Sequence, residues 1–99
     1  MNEPRLTDRA QDDLREIWFT IASDRDVRTA DRMAAKIFDK CCSYAQFPES
    51  GRLREEISPG LRSFPVRPYV VFYRPFEDTI LVLRILHGHR DSKRIMVGE

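Results

Sequence analysis

Apolar positions in the first half of the chain recur at the spacing of two amphipathic helices, predicted at residues 8–23 and 27–47. Thr7 or Asp8 can cap the first helix and Asp26 the second, because their side-chain oxygens can accept hydrogen bonds from the first helical turn. The short connection between the helices predicts an antiparallel hairpin. The apolar stripe of the first helix comprises Ala10, Leu14, Ile17, Trp18, Ile21 and Ala22.

From Gly51 onward the apolar spacing changes to that of β-strands. Branched and aromatic residues predict strands at 61–66, 69–74 and 79–86, and residues up to Leu6 can add a short edge strand. The last two strands carry apolar residues on both faces, which is typical of strands covered on both sides. Because a helical hairpin can cover only one face, we expect the other face to stay partly exposed or to receive a partner.

These elements predict a single α+β domain over residues 1–99. In it, an N-terminal antiparallel helical hairpin packs on a small, mainly antiparallel sheet of three to four strands. A chain of 99 residues is long enough for one modest core. It has neither an apolar run of membrane-spanning length nor a signal-peptide pattern at its start, so we expect a cytoplasmic protein.

Charge is distributed unevenly although the net charge is only +1. Residues 1–50 hold 8 Lys and Arg against 10 Asp and Glu, a net of −2, and residues 51–99 hold 9 against 6, a net of +3. This asymmetry permits an anionic partner on the strand half. It is too small to predict direct nucleic-acid binding.

The residues that could hold a metal or a cofactor are few. Adjacent Cys41 and Cys42 suit neither a structural disulfide nor a metal site, so we expect one core thiol and one partly exposed thiol. His87 and His89 could face the same side of a strand, but only Asp91 is nearby as a third ligand. No glycine-rich phosphate loop or nucleophile motif occurs. We therefore expect no metal and no cofactor.

A metal-free ribonuclease stays open as an interpretation. Its chemistry needs cations that stabilise a phosphate and a group that moves protons. The strand half supplies such residues: Arg62, Arg67, Arg84, His87, His89 and Arg90. We weigh structural roles for them, in ion pairs and at the strand end, above catalysis.

Five segments together resemble the ParE toxins of the ParE/RelE superfamily of bacterial type II toxin–antitoxin systems. They are LTDRAQDDLREIW (6–18), FPESGR (47–52), GLRSF (60–64), YVVFYR (69–74) and ILVLRILHGHRD (80–91). The resemblance implies a toxin held in a hetero-oligomer by a cognate ParD-like antitoxin. It also implies poisoning of DNA gyrase, which halts replication, and no direct contact with nucleic acid except through the antitoxin.

The RelE branch, which cleaves mRNA in the ribosome, is matched less well. RelE ribonucleases resemble this chain at Arg90, but Val70 and Met96 stand where that branch carries an arginine and a tyrosine. Valine and methionine cannot stabilise a phosphate or transfer a proton. The departure favours a gyrase-binding toxin without catalytic residues of its own. The alternatives are a ribosome-dependent mRNA endoribonuclease that uses His89 and Arg90, and an inactive module that only binds its antitoxin.

Two surfaces follow from the leading interpretation. The strand ends and the C-terminal segment are predicted to face the target, through Arg84, His87, His89, Arg90, Lys93 and Arg94. Antitoxin contacts are predicted on the outer helix surfaces, through Phe19, Tyr44 and Phe47. Trp18, which lies on the apolar stripe, is predicted to be buried in the core.

Overall fold

The computed structural model describes residues 2–88 and Ile95. Two helices lie on one face of a five-stranded sheet. The elements in chain order are β1 (Arg5–Leu6), α1 (Asp8–Asp24), α2 (Val27–Gln46), β2 (Arg52–Leu53), β3 (Arg62–Val66), β4 (Tyr69–Phe76) and β5 (Thr79–His87). No helix among the described residues is long and apolar enough to cross a membrane.

Both helices begin at polar caps. The Thr7 side chain accepts a hydrogen bond from the Ala10 N–H at 3.1 Å, and the Asp26 side chain accepts one from the Thr29 N–H at 2.7 Å. These bonds satisfy N–H groups that have no partner within the first helical turn. The bond to Thr29 also lowers the pKa of Asp26, because it favours the charged carboxylate.

The sheet order is β1-β5-β4-β3-β2, so the two longest strands are neighbours near its centre. β1 pairs with β5 in parallel, and all other pairings are antiparallel. Val82 pairs with Tyr73 and Arg84 with Phe72, which leaves Leu83 as an extra residue in β5. Such a bulge shifts the alternation of side chains along a strand.

The main core lies between the helices and the sheet. It contains Ala10, Ile37, Cys41, Ala45, Phe64, Val66, Val71, Tyr73, Ile80, Val82 and Ile85. The rings of Tyr44 and Phe64 stack with centroids 4.1 Å apart, which joins α2 to β3. The larger of the two clusters of buried residues thus lies between the helices and one sheet face, and this architecture confirms the predicted α+β class.

The opposite sheet face carries a second, smaller core. Ile57 and Leu61, from the loop between β2 and β3, cover Phe72 and Leu86. Val70, Leu83 and Ile95 pack against the same cluster. The expectation that this face stays partly exposed or receives a partner does not hold at its centre, because the chain's own loop covers Phe72 and Leu86, whereas Val70 and Leu83 stay partly exposed. The sheet also has five strands rather than three to four, since β1 and β2 add two-residue edges.

Side chains from the start of α1 complete the outer edge of β5 beyond β1. The Thr7 hydroxyl donates to the Leu83 carbonyl at 3.0 Å, and the Asp13 carboxylate accepts from the Ile85 N–H at 2.9 Å. Thr7 also donates its own N–H to the Val82 carbonyl. Backbone groups that a longer β1 would have paired are therefore paired with α1 instead.

The two cysteines differ in burial, which confirms the prediction of one core and one partly exposed thiol. Burial raises the pKa of the Cys41 thiol from its ordinary value of 9.0 to about 12. The thiolate is the reactive form, so at pH 8 we expect iodoacetamide to modify Cys42 first and Cys41 only after unfolding. Peptide mapping of the native and the urea-treated protein would measure this, and early modification of Cys41 would contradict it.

Candidate functional site

A buried ion pair joins α1 to the sheet. Arg84 Nε donates to Asp13 Oδ2 at 2.8 Å and Arg84 Nη2 donates to Asp13 Oδ1 at 3.2 Å. The same Oδ2 accepts the Ile85 N–H, so one carboxylate receives three hydrogen bonds. Both residues are only 9% exposed. Arg84 Nη1 is buried and has no hydrogen-bond partner within the described part of the chain.

This geometry removes Arg84 from the predicted target-facing set. Its guanidinium is buried and is paired in a two-bond arrangement with a carboxylate, which is the geometry of a structural contact. A partner could reach it only if α1 moved away from β5. The assignment of Arg84 to an exposed binding surface was therefore wrong, and its role is to fix the helix against the strand.

Sequence reasoning missed Asp13 altogether. Its signal was present, because position 13 lies on the apolar side of the first helix, next to Leu14 and three residues after Ala10. A carboxylate on a face that must be buried requires a buried cationic partner or N–H donors. Here it has both.

A cleft of about 200 Å³ opens between α1 and the end of β5. His87 and Tyr69 stand at it with their rings at right angles and their centroids 5.8 Å apart. Burial raises the pKa of the Tyr69 hydroxyl above its ordinary value of 10.0. The lining residues are Asp13, Glu16, Ile17, Thr20, Tyr69, Ile85, Leu86 and His87.

His87 is the one member of the predicted target-facing set that is described and reachable from solvent. The other predicted members, His89, Arg90, Lys93 and Arg94, lie outside the described residues. His89 and Arg90 are also the pair named for the ribonuclease alternative. Within the described residues, β5 ends at His87, beside the cleft.

Arginines on the sheet are used to hold the loop between α2 and β3. Arg62 donates to the carbonyls of Glu49 and Gly51, each at 2.8 Å. Arg74 donates to Ser58 Oγ at 2.8 Å and to the carbonyl of Pro59. Because Arg62 Nη1 holds the chain's own loop, a structural role is favoured for Arg62. The predicted ribonuclease set thus loses Arg84, whereas Arg67, in the turn between β3 and β4, is exposed.

The outer surface of the helical hairpin carries exposed aromatic residues. Phe19 is 59% exposed and Phe47 is 71% exposed. Trp18 is half-buried rather than buried as predicted, because its indole Nε1 donates to Asp31 Oδ1 at 2.7 Å across the two helices. Its ring meets the edge of Phe19 with centroids 5.2 Å apart.

Tyr44 differs from the other two residues predicted to bind an antitoxin. Its ring packs against the core, stacked on Phe64 and 6.2 Å from the ring of Tyr73. Phe19 and Phe47 therefore offer aromatic surface to a partner, whereas Tyr44 offers only the part of its ring that the core leaves uncovered.

No group of three or more His, Cys, Asp or Glu residues within residues 2–88 is arranged to hold a metal ion. The polar chemistry around the sheet thus includes one buried ion pair, one half-exposed histidine beside a tyrosine, and arginines bonded to backbone.

A helical hairpin on a mainly antiparallel sheet is also the fold of a solved structure described as the chromosomal ParDE TA system from P. aeruginosa. The two chains superpose with a TM-score of 0.75 at 24% sequence identity, over 88% of this chain and 96% of that chain. This protein is thus a small α+β domain with the same fold as the matched chain of that structure.

Sequence comparisons carry the assignment further. The family described as ParE toxin of type II toxin-antitoxin system, parDE, matches residues 5–92. Toxin ParE3 of Caulobacter vibrioides is 33% identical over 76 residues, which are 77% of this chain and 76% of that protein. The chain belongs to the ParE toxin family of type II toxin–antitoxin systems, and the resemblance read from its five segments is confirmed.

Proposed function

We propose that this ParE toxin inhibits DNA gyrase, and thereby replication, in the cytoplasm, and that a cognate ParD-like antitoxin neutralises it. Its action is binding: it stabilises one state of another enzyme because it has different affinities for the states of that enzyme. The target-facing surface is the end of β5 with His87 and the segment after it, including His89, Arg90, Lys93 and Arg94.

The observation that carries this proposal is that arginines of the sheet form structural hydrogen bonds within the chain. All of them lie in residues 5–92, which match the family. Arg62, Arg74 and Arg84 all donate to groups of the chain itself. Val70, at the position where the RelE branch carries an arginine, packs against the core of Phe72 and Leu86. A metal-free ribonuclease needs cations placed around its phosphate, and these three arginines instead hold groups of the chain itself, Arg84 within the buried interior. Binding without catalysis therefore fits these residues better than RNA cleavage.

Induction of the toxin alone in bacteria tests the proposal. Early incorporation of labelled thymidine and labelled methionine would be followed after induction, and purified gyrase would then be assayed for trapped, cleaved DNA. We expect thymidine incorporation to stop first and cleaved DNA to accumulate. Earlier loss of methionine incorporation, with mRNA cut at ribosomal A-site codons, would replace gyrase with the ribosome. No growth defect would support the inactive antitoxin-binding module instead.

For the antitoxin we propose contacts on the hairpin surface around Phe19 and Phe47. Exposed aromatic rings of this size dominate the energetics of many protein interfaces. A partner that covers Phe19 also gains the edge of Trp18, which the bond to Asp31 holds in place. Tyr44 contributes by supporting Phe64 and the end of α2 from within.

Substituting Phe19→Asp is expected to weaken antitoxin binding at least about 30-fold, since removal of a central aromatic anchor costs about 2 kcal/mol or more. Titration calorimetry with the purified antitoxin would measure the change in Kd. Phe38→Asp is the matched control, because Phe38 is also an exposed phenylalanine, 44% accessible, but lies on α2. An affinity of the Phe19→Asp variant for the antitoxin equal to that of the wild-type toxin would remove Phe19 from the interface.

A further inference from the structure

The exposed face of α2 carries four cations at regular four-residue intervals. Arg28, Arg32, Lys36 and Lys40 are all exposed, and we call them the α2 basic stripe. With a rise of about 1.5 Å per residue they extend over about 18 Å of the helix. The core-facing residues Ile37 and Cys41 lie on the other side of the helix, so the stripe faces away from the sheet.

Cations of the stripe form no hydrogen bond or ion pair with any described residue, unlike Arg54, Arg62, Arg74 and Arg84 elsewhere in the fold. The acids near α2 neutralise it only in part. Asp31 accepts the Trp18 indole N–H on the side of α1. Asp39 lies beside the stripe, and Asp26, which caps the helix, is close enough to Arg32 for electrostatic attraction, so four cations stand against two acids and the surface keeps a positive excess.

Side chains around the stripe decide what kind of partner fits. A shallow depression of about 500 Å³ is lined by Arg32, Ala35, Lys36, Asp39, Lys40 and Ser43, with no large apolar residue. Protein interfaces have aromatic or aliphatic side chains at their centre and are depleted in lysine. Contacts to a phosphate backbone use Lys and Arg without an apolar centre.

We propose that the α2 basic stripe binds the phosphate backbone of nucleic acid, without reading its sequence. This inference goes beyond the gyrase target and does not depend on it, because the contact requires only this chain and a duplex. It differs from the expectation stated with the family resemblance, that the toxin contacts nucleic acid only through its antitoxin. The cations are concentrated on one helix face, and most of the acids that cancel them in the total charge lie elsewhere.

Fluorescence anisotropy of the full chain with a labelled DNA duplex of unrelated sequence tests the proposal. Four phosphate contacts predict a slope of about −3.6 for log K against log salt, which is a loss of about 100-fold between about 50 and 200 mM salt. Arg32→Gln with Lys36→Gln should halve that slope and weaken binding in low salt at least about 10-fold, because two of the four contacts are removed.

The matched control is Arg5→Gln with Arg52→Gln, which removes the same charge from exposed positions on the two edge strands. Circular dichroism melting of both double variants checks that they are folded. The control should keep at least half of the duplex affinity. Equal losses in the two double variants would overturn the proposal, since the effect would then be one of net charge. Tighter binding to a glutamate-rich peptide of the same charge as the duplex would also overturn it, in favour of an acidic protein.

Discussion

Replacing Asp13 with asparagine is expected to lower the free energy of unfolding by about 3–5 kcal/mol, because it leaves the Arg84 guanidinium buried beside a neutral group. The lost carboxylate receives three hydrogen bonds, from Arg84 Nε, Arg84 Nη2 and the Ile85 N–H. An asparagine oxygen can replace one acceptor, but its NH₂ group must then face a donor. Since a small domain is stable by only about 5–15 kcal/mol, the change approaches global unfolding.

The neighbouring residue supplies the control for this prediction. Asp12 pairs with Arg15 at 2.7 Å, but the two side chains are 68% and 60% exposed. A surface pair of this kind contributes at most about 1 kcal/mol, so Asp12→Asn should change stability little. Urea unfolding followed by circular dichroism would compare the two midpoints. Midpoints that differ by less than the experimental error would show that the buried pair does not hold α1 to β5.

A double substitution separates charge from packing. Asp13→Leu with Arg84→Met removes both buried charges and keeps apolar volume at the contact, so it should recover much of the stability lost in Asp13→Asn. The Ile85 N–H would still lack its acceptor, and recovery should therefore stop short of the wild-type value. A double variant no more stable than Asp13→Asn would mean that the bond to Ile85, and not the unpaired charge, dominates.

Gly51→Ala is expected to cost about 3 kcal/mol, because the new Cβ would lie 2.3 Å from the Tyr73 hydroxyl and 2.7 Å from its ring. Tyr73 cannot move away, since its ring is fully buried among Tyr44 and Phe64. Its hydroxyl accepts the Gly51 N–H at 3.0 Å and donates to the Pro48 carbonyl at 2.8 Å. The clash would therefore push apart the end of α2, β2 and β4.

Gly60→Ala is the comparison for this second prediction. Gly60 has a φ of +77°, and an added Cβ would meet only the flexible end of Arg74, at 3.3 Å. The cost there is one of backbone strain, about 1 kcal/mol. Thermal unfolding should place Gly51→Ala clearly below Gly60→Ala. Adding Tyr73→Phe to Gly51→Ala removes the closest atom, so the double variant should lose less than the sum of its parts. The reverse order of the two glycine variants would refute the packing argument.

Much of the fold could be predicted because apolar residues follow a clear helical spacing in the first half of the chain and a clear strand spacing in the second half. The observed helices begin where they were predicted to begin, because Thr7 and Asp26 cap them. Their C-terminal ends differ from the predicted ranges by one residue. The second core could not be predicted in the same way. Ile57 and Leu61 lie in a loop with turns, where apolar spacing does not indicate a face of any regular element.

The site was predicted less well, for two physical reasons. The extra residue Leu83 in β5 shifts the alternation of side chains, so Arg84 could not be assigned to a face from its position in the sequence. Charge counted over each half of the chain also concealed the α2 basic stripe, because acids on other faces of the same helices cancel it. The exposure of Phe19 was easier to predict from the sequence, since Phe19 lies next to the apolar stripe of α1 rather than on it.

Both ends of the sheet have a consequence for self-association. β1 and β2 are two residues long, too short to serve as a template for a strand of another molecule. Along β5, the Leu83 carbonyl and the Ile85 N–H are occupied by Thr7 and Asp13. Edge-to-edge aggregation, the usual hazard of a small sheet, is therefore blocked along this edge by the helix itself. Because Asp13 takes part in blocking this edge, Asp13→Asn should be prone to aggregate as well as less stable.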